Sequence, residues 1–326
     1  MRVFVTRALP VDPASILPKG IDVAVSPHDR PLSADEIADA GRDADAIVSQ
    51  LVDPFDRGLL ARLPRLKVLA NYAVGYDNVD VAAAAERGIV VTNTPDVLTD
   101  ATADLTMLLV LAVARRLRES ERLLRTGGFR GWSPTLLLGR DLAGATLGLF
   151  GFGRIGRAVA ARAGAFGMRV IYTARHAAPH DVEERLGATR VELPELLARA
   201  DVLSLHAPAT ADTRHVIDAR ALAAMKRGAI LVNTARGALV DEAALAEALA
   251  RGALFGAGLD VFEREPAVHP ALAGRDNVVL VPHVGSATEH ARRGMARIAL
   301  ENCGAILQGR PPLSPVTLGP RESSPA

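Results

Sequence analysis

Apolar residues along the chain fall into two alternating patterns. Short apolar runs stand at residues 2–6, 21–25, 46–49, 67–70 and 89–92, separated by polar or Ala-rich stretches. Runs of that length suit buried strands and the stretches between them suit helices, so this part reads as an open α/β arrangement. A longer segment begins near 99–102 and places Leu105, Leu108, Leu109, Ala112 and Leu117 at helical spacing on the way to Gly127. It predicts one long helix that links two domains. Strand-like runs then resume at 146–150, 169–172, 202–206, 229–233, 256–260 and 278–281. Six strands with helices between most of them suit a complete dinucleotide-binding sheet. A helix over about 289–308 is expected to pack back on the first domain, and residues 311–326, rich in Pro and Ser, to form a loose tail.

Composition narrows the function classes. With 326 residues, 49% of them hydrophobic and 23% charged, the chain has the make-up of a soluble protein with two domains. Its 38 basic and 37 acidic side chains leave a net charge of +1, no field for a polyanion, so no nucleic-acid partner is expected. The longest apolar run, 105–114, is too short to cross a bilayer, and no signal-peptide pattern follows Met1. The single cysteine, Cys303, reads as a small buried helix residue and suits a reducing compartment, so a cytoplasmic location is expected, with no membrane partner and no metal site.

The strand-like run at 146–150 leads into Gly151-Phe-Gly153-Arg154-Ile155-Gly156 and then into a helical stretch. A GxGxxG motif alone is weak, but between a strand and a helix each glycine acquires a task. Gly151 allows the tight turn, Gly153 lets a pyrophosphate approach the backbone, and Gly156 lets helix and strand pack closely. The helix start then offers N–H groups and a positive dipole end to the phosphates. At the end of the next strand, where an acid would accept the adenosine ribose hydroxyls, the chain reads Tyr172-Thr-Ala-Arg175-His176, with no acid before Asp181. A guanidinium beside an imidazole suits a 2′-phosphate, which points to NADP(H) as the preferred cofactor, with NAD(H) use left open.

Three ionisable residues each follow a strand of the second half: Arg236, Glu265 and His283. Singly they have bland readings, as a helix-start surface residue, a loop charge and a satisfied histidine. Jointly they supply what reduction of a 2-oxo acid needs. Arg236 offers two-point binding to a carboxylate, and His283 can give and take a proton near neutral pH. Glu265, if it contacts the imidazole, would orient it and favour its charged form.

These segments, with Asn71-Tyr-Ala-Val74-Gly75-Tyr-Asp-Asn-Val-Asp80, Asn93-Thr-Pro, Asn233-Thr234-Ala-Arg236-Gly237, Gly258-Leu-Asp260 and Pro282-His283, resemble the D-isomer-specific 2-hydroxyacid dehydrogenases over nearly the whole length. The resemblance implies two doubly wound parallel-sheet domains, a Rossmann cofactor domain at 98–286 inserted into a flavodoxin-like substrate domain at 1–97 and 287–326, and a homodimer. It implies Arg236, Glu265 and His283 as the catalytic trio and Arg154, Ile155, Thr234, Asp260, Gly285 and Thr102 as cofactor contacts. Val74 and Gly75 would bind the substrate carboxylate, and Leu51 would line the pocket. Within the family the chain is most similar to the glyoxylate and hydroxypyruvate reductases, in which a tryptophan matching Trp132 enters the partner's site; plain interface packing is its other reading. The arginines at 115, 116, 118, 122, 125 and 130 read as a solvent-facing or subunit-facing helix. Alternatives within the fold are a hydroxyphenylpyruvate, phosphoglycerate or phosphite dehydrogenase, and outside the class a dinucleotide-sensing binding protein resembling corepressors.

Overall fold

In the computed structural model, which describes residues 1–317, the early apolar runs become strands β1 (Arg2–Val5), β2 (Asp22–Val25), β3 (Ala46–Gln50), β4 (Val68–Tyr72) and β5 (Val90–Thr92). They pair in parallel in the order β2-β1-β3-β4-β5, the flavodoxin-like order, and belong to a unit formed by residues 1–98 and the described residues from 287 onward. Helices α1 (Ala34–Gly41), α2 (Arg57–Ala61) and α3 (Val81–Glu86) bury Ile37, Leu59, Leu60 and Ala84 against Phe4, Ile47 and Leu69 of the strands. Each helix begins at a side-chain cap, Ser33, Asp56 or Asp80, which satisfies a backbone N–H that the first turn leaves without a partner. The C-terminal helix, Glu289–Leu307, packs on β3 and β4, and the Tyr72 hydroxyl donates to the Arg292 carbonyl at 2.8 Å.

One expectation fails here. The segment after Pro311 is not loose as far as it is described: Val316 N–H donates to Val91 O at 2.8 Å, and the Ser314 hydroxyl donates to Asn93 O at 2.6 Å. Asn302 of the C-terminal helix accepts from the Leu313 and Ser314 amides. A Pro-rich stretch that cannot form a helix has instead found the open edge of β5. The rest of the expected tail, 318–326, lies outside the described residues.

The second unit, residues 99–286, holds seven parallel strands. In chain order its elements are α4 (Thr99–Ala114), α5 (Leu117–Arg125), β6 (Thr146–Phe150), α6 (Arg154–Ala165), β7 (Arg169–Thr173), α7 (His180–Leu186), β8 (Ala188–Arg190), α8 (Leu193–Arg199) and β9 (Val202–Leu205). They continue as α9 (Ala219–Ala224), β10 (Ala229–Asn233), α10 (Glu242–Ala250), β11 (Leu254–Leu259), α11 (Pro270–Ala273) and β12 (Val278–Leu280). The sheet order β12-β11-β10-β9-β6-β7-β8 reverses direction between β6 and β9, which is where an open α/β sheet leaves a crevice for a ligand. Apolar cores fill both faces, one under α8 to α10 and one under α4 and α6. Six strands were expected; the extra one, β8, is a three-residue edge strand with two exposed positions, too short to show alternation.

The expected single helix through 99–127 is two helices. Arg140 N–H takes the Ala114 carbonyl at 2.8 Å, and a Cβ at Gly139 would lie 2.3 Å from that oxygen, so an incoming chain occupies the place of the next turn. Arg116 then adopts φ 52° and turns the chain into α5. Several of the clustered arginines are committed locally, Arg116 to Glu119, Arg122 to Asp276 and Arg125 to Glu121, while Arg118 donates to the Val278 and Ala273 carbonyls.

Candidate active site

The glycine turn occupies the crevice between β6 and β9. Gly151 closes β6 at φ +97°, and a Cβ there would sit 2.6 Å from the His206 carbonyl carbon at the end of β9. On Gly156 a Cβ would lie 2.4 Å from the Gly151 oxygen. Both glycines therefore serve close packing of strand, turn and helix. Gly153 differs: it is the exposed N-cap of α6, and a Cβ on it would meet nothing within 4 Å. Arg154 and Ile155 form the first turn behind it, whose N–H groups lack helical acceptors. An open approach to a helix N-terminus at the sheet's switch point fits a dinucleotide pyrophosphate.

Beyond β7, Arg175 and His176 are both exposed, and Asp181, in the first turn of α7, is the nearest following acid. Two features of this strand end escaped the sequence reading. Tyr172 stacks on Phe152 of the glycine turn at 3.9 Å, and its hydroxyl donates to Glu183 at 2.6 Å while accepting the Ala178 N–H at 2.7 Å. Arg190, from β8, donates to the Ala174 carbonyl at 3.1 Å. The Arg175–His176 loop thus has fixed backbone on either side, and a second guanidinium stands beside it.

The three chemistry-bearing residues come from three neighbouring strand ends. Asn233 ends β10 and organises Arg236: its Oδ1 accepts the Ala235 N–H at 3.0 Å and its Nδ2 donates to the Arg236 carbonyl at 2.8 Å. That turn, an Asn hydrogen-bonding backbone two and three residues on, was readable from the sequence. Gly237 follows because a Cβ there would overlap the Phe262 carbonyl carbon at 1.9 Å. On the facing segment, Glu265 accepts the Phe262 N–H through Oε1 at 3.0 Å, and its Oε2 lies 2.9 Å from His283 Nδ1. The contact sets the tautomer: Nδ1 carries a proton towards the carboxylate, leaving Nε2 to exchange one with a substrate. Burial pushes the Glu265 carboxyl up. The His283 hydrogen bond and charge, the Phe262 N–H and the Arg236 charge outweigh it, so the group titrates below the ordinary glutamate value. Arg236 is therefore within electrostatic reach of the pair.

His283 itself sits at φ 51°, in the left-handed region. Buried Asp260 holds it there. The Asp260 carbonyl accepts the His283 N–H at 2.8 Å, and its carboxylate accepts the Val284 and Gly285 amides at 2.6 and 2.8 Å. Burial raises the Asp260 carboxyl despite these donors and the nearby His283 charge. A Cβ at Gly285 would come within 3.0 Å of Asp260 Oδ2 and 3.4 Å of Thr102 Cγ2, which places Gly285, Asp260 and Thr102 together. The Thr106 hydroxyl donates to the Thr102 carbonyl at 2.8 Å and is left to accept from Thr234 at 2.8 Å. Thr106 is a member of this group that the motifs did not mark.

On the first unit, Leu51 follows β3, and Val74 and Gly75 follow β4. The Val74 and Gly75 carbonyls accept from Asn93 and Asn71 side chains, each at 2.8 Å, which fixes the loop's course. Trp132, in the segment after α5, is 84% exposed. Among the described residues no group of three or more His, Cys, Asp or Glu side chains is placed to hold a metal ion, and no helix is long and apolar enough to cross a membrane.

Comparison with known proteins finds relatives over nearly the whole chain. Residues 107–285 match the family described as D-isomer specific 2-hydroxyacid dehydrogenase, NAD binding domain. The glyoxylate reductase of Thermococcus litoralis is 45% identical, the match covering 99% of both chains. A crystal structure of a Thermus thermophilus protein superposes with a TM-score of 0.91 at 50% identity, covering 97% of this chain and 100% of that one. The NADPH-dependent glyoxylate/hydroxypyruvate reductase of Sinorhizobium meliloti, in complex with NADP and malonate, superposes with a TM-score of 0.84 at 38% identity, covering 97% and 96%.

Proposed function

The chain belongs to the D-isomer-specific 2-hydroxyacid dehydrogenases, and on that premise we propose that it reduces glyoxylate or hydroxypyruvate to the D-2-hydroxy acid, preferring NADP(H) to NAD(H). It is an oxidoreductase of CH–OH donors that binds a nicotinamide dinucleotide and acts on small 2-oxo acids. The observation that carries the residue assignment is the His283 Nδ1 to Glu265 Oε2 contact at 2.9 Å, with the Arg236 charge bearing on the same carboxylate.

In this reading Arg236 neutralises and orients the substrate carboxylate by two parallel N–H donors. His283, oriented by its pairing with Glu265, gives the Nε2 proton to the oxygen at C2 as that oxygen gains negative charge, and takes it back in the oxidation direction. The nicotinamide cofactor supplies the hydride to C2. Gly151, Gly153, Arg154, Ile155 and Gly156 would hold its pyrophosphate, Thr102, Thr234, Asp260 and Gly285 its nicotinamide end, and Arg175 with His176 a 2′-phosphate. Leu51, Val74 and Gly75 are proposed as substrate contacts from the first unit.

We further propose a cytoplasmic homodimer built through the second unit. Leu117, Leu124, Phe129, Trp132, Leu136 and Leu138 are all at least 40% exposed and lie within one stretch of chain. Apolar side chains gathered like this mark a surface that is covered in use, and Trp132 is the candidate to reach the partner's substrate pocket. Light scattering should give a dimer mass.

The function is tested by a matrix of NADPH and NADH against glyoxylate, hydroxypyruvate, phenylpyruvate and phosphohydroxypyruvate. Turnover of either of the first two acids, faster with NADPH, is expected. Turnover of the aromatic or phosphorylated acid alone would transfer the chain to a neighbouring substrate class.

A further inference from the structure

Glu242 is an acid that the chemistry does not use, yet it is almost fully buried. It opens α10, 5% exposed, directly after the N-cap Asp241, whose own carboxylate already accepts the Ala244 N–H at 3.0 Å. A second acid is therefore not needed to cap the helix. Glu242 instead reaches away from it: Oε1 accepts the Glu263 backbone N–H at 2.8 Å, and the His269 N–H is a weaker second donor to the same carboxyl. These two amides flank the segment that presents Glu265. Inside it, Ala267 N–H closes on the Arg264 carbonyl at 2.9 Å, and Phe262 N–H donates to Glu265. The Glu263 side chain is tied outwards, to His215 Nε2 at 2.8 Å and Arg214 at 3.2 Å. The segment also packs on Gly237, next to Arg236, with no room for a methyl group between them.

A buried carboxylate costs free energy unless backbone donors or cations compensate it. Burial indeed pushes the Glu242 carboxyl above its ordinary value, although the Glu263 amide opposes the shift. What that cost secures is the placement of one loop. We propose that Glu242 is a positioning residue: it anchors the backbone of segment 263–269, so that Glu265 meets His283 Nδ1 and the neighbouring Arg236 turn keeps its place. It acts through Glu265 and touches no reactant. This inference rests on the assignment of Glu265 as the partner of His283.

The test is a double-mutant cycle in the full-length chain, with NADPH and glyoxylate: Glu242→Gln, Glu265→Gln and both together, each checked by circular dichroism and thermal melting. Glu242→Gln exchanges a charge-assisted acceptor for a neutral one, so kcat should fall about five- to tenfold while the KM for NADPH stays within about twofold. In the Glu265→Gln background the same change should cost less than about twofold, because the orientation it protects has lost its use. Glu242→Asp, which keeps the charge on a shorter arm, should recover part of the loss and replaces Gln in the cycle if the Gln variant melts below the assay temperature. An unchanged kcat, or an equal loss in both backgrounds, would overturn the proposal and leave Glu242 a purely structural acid. A fully active Glu265→Gln enzyme would remove the premise, and with it both the assignment of Glu265 and this inference.

Discussion

Replacing Glu265 by Gln keeps the shape of the side chain and removes one acceptor and the charge. The native carboxylate accepts at both oxygens, from Phe262 N–H at 3.0 Å and from His283 Nδ1 at 2.9 Å. An amide has a single oxygen. If that oxygen stays with Phe262, the NH2 group faces Nδ1, which must then accept; the ring has no Nδ1 proton, and the one left on Nε2 belongs to a neutral imidazole, a far weaker acid. If it turns to His283, the NH2 group collides with the Phe262 N–H. Two unit charges about 4 Å apart attract by about 4 kcal/mol at an effective dielectric of 20. His283 and Glu265 side chains are 26% and 28% exposed, so water screens part of this, and about 2 kcal/mol is the working figure for the lost His283–Glu265 interaction. A loss of about 2 kcal/mol corresponds to roughly thirtyfold in kcat. The assay is steady-state oxidation of NADPH at saturating glyoxylate, with NADPH affinity measured separately by fluorescence; affinity should be unchanged. A variant within twofold of wild-type kcat at neutral pH would refute the view that Glu265 sustains the proton donor.

The remaining expectations are separable by what each measures. Gly156→Ala places a Cβ 2.4 Å from the Gly151 oxygen and should lower the melting temperature with or without cofactor, whereas Gly153→Ala, with nothing within 4 Å, should melt like wild type and raise the KM for the dinucleotide. Equal melting temperatures for the two would contradict the division of labour among the glycines. Arg175→Ala should raise the KM for NADPH far more than that for NADH, and an equal change in both would remove the 2′-phosphate assignment. The His206 imidazole is pushed down to about 3 by burial, so between the ordinary histidine value and about 3 the unfolded chain binds a proton that the folded one does not. Folding stability should therefore fall as pH drops through that window, by at most about 1.4 kcal/mol per pH unit. His206→Asn should flatten that slope in denaturant melts, and an unaltered slope would count against a neutral ring.

Much of the architecture was legible in local pattern. Buried parallel strands must be short and apolar, and the runs at 146–150 and 229–233 coincide with β6 and β10 to the residue. Gly151 and Gly156 announced a turn because only glycine tolerates their close approaches, and Gly153 between them marked an open helix start. The failures share a cause. Nothing near Ala114 says that α4 must stop, because the amide that takes its carbonyl belongs to Arg140. Nothing in the Pro-rich sequence after 311 says that it borders β5, because a strand edge is made by pairing elsewhere in the chain.

The candidate site divides the same way. The chain by itself determined which chemical groups are present, and that Arg236, Glu265 and His283 each follow a strand, where a parallel sheet offers side chains to a ligand. Tertiary structure decided which atoms face one another: that Glu265 turns Oε2 to Nδ1, that Asp260 spends its carboxylate on the turn after His283, and that Glu242 reaches across to the Glu263 amide. Sequence periodicity encodes the backbone path of one element, since period and burial follow from local geometry. Contacts between residues 18 or 21 positions apart depend on how strands are registered and how loops pack over them, and that is settled only when the whole sheet has formed.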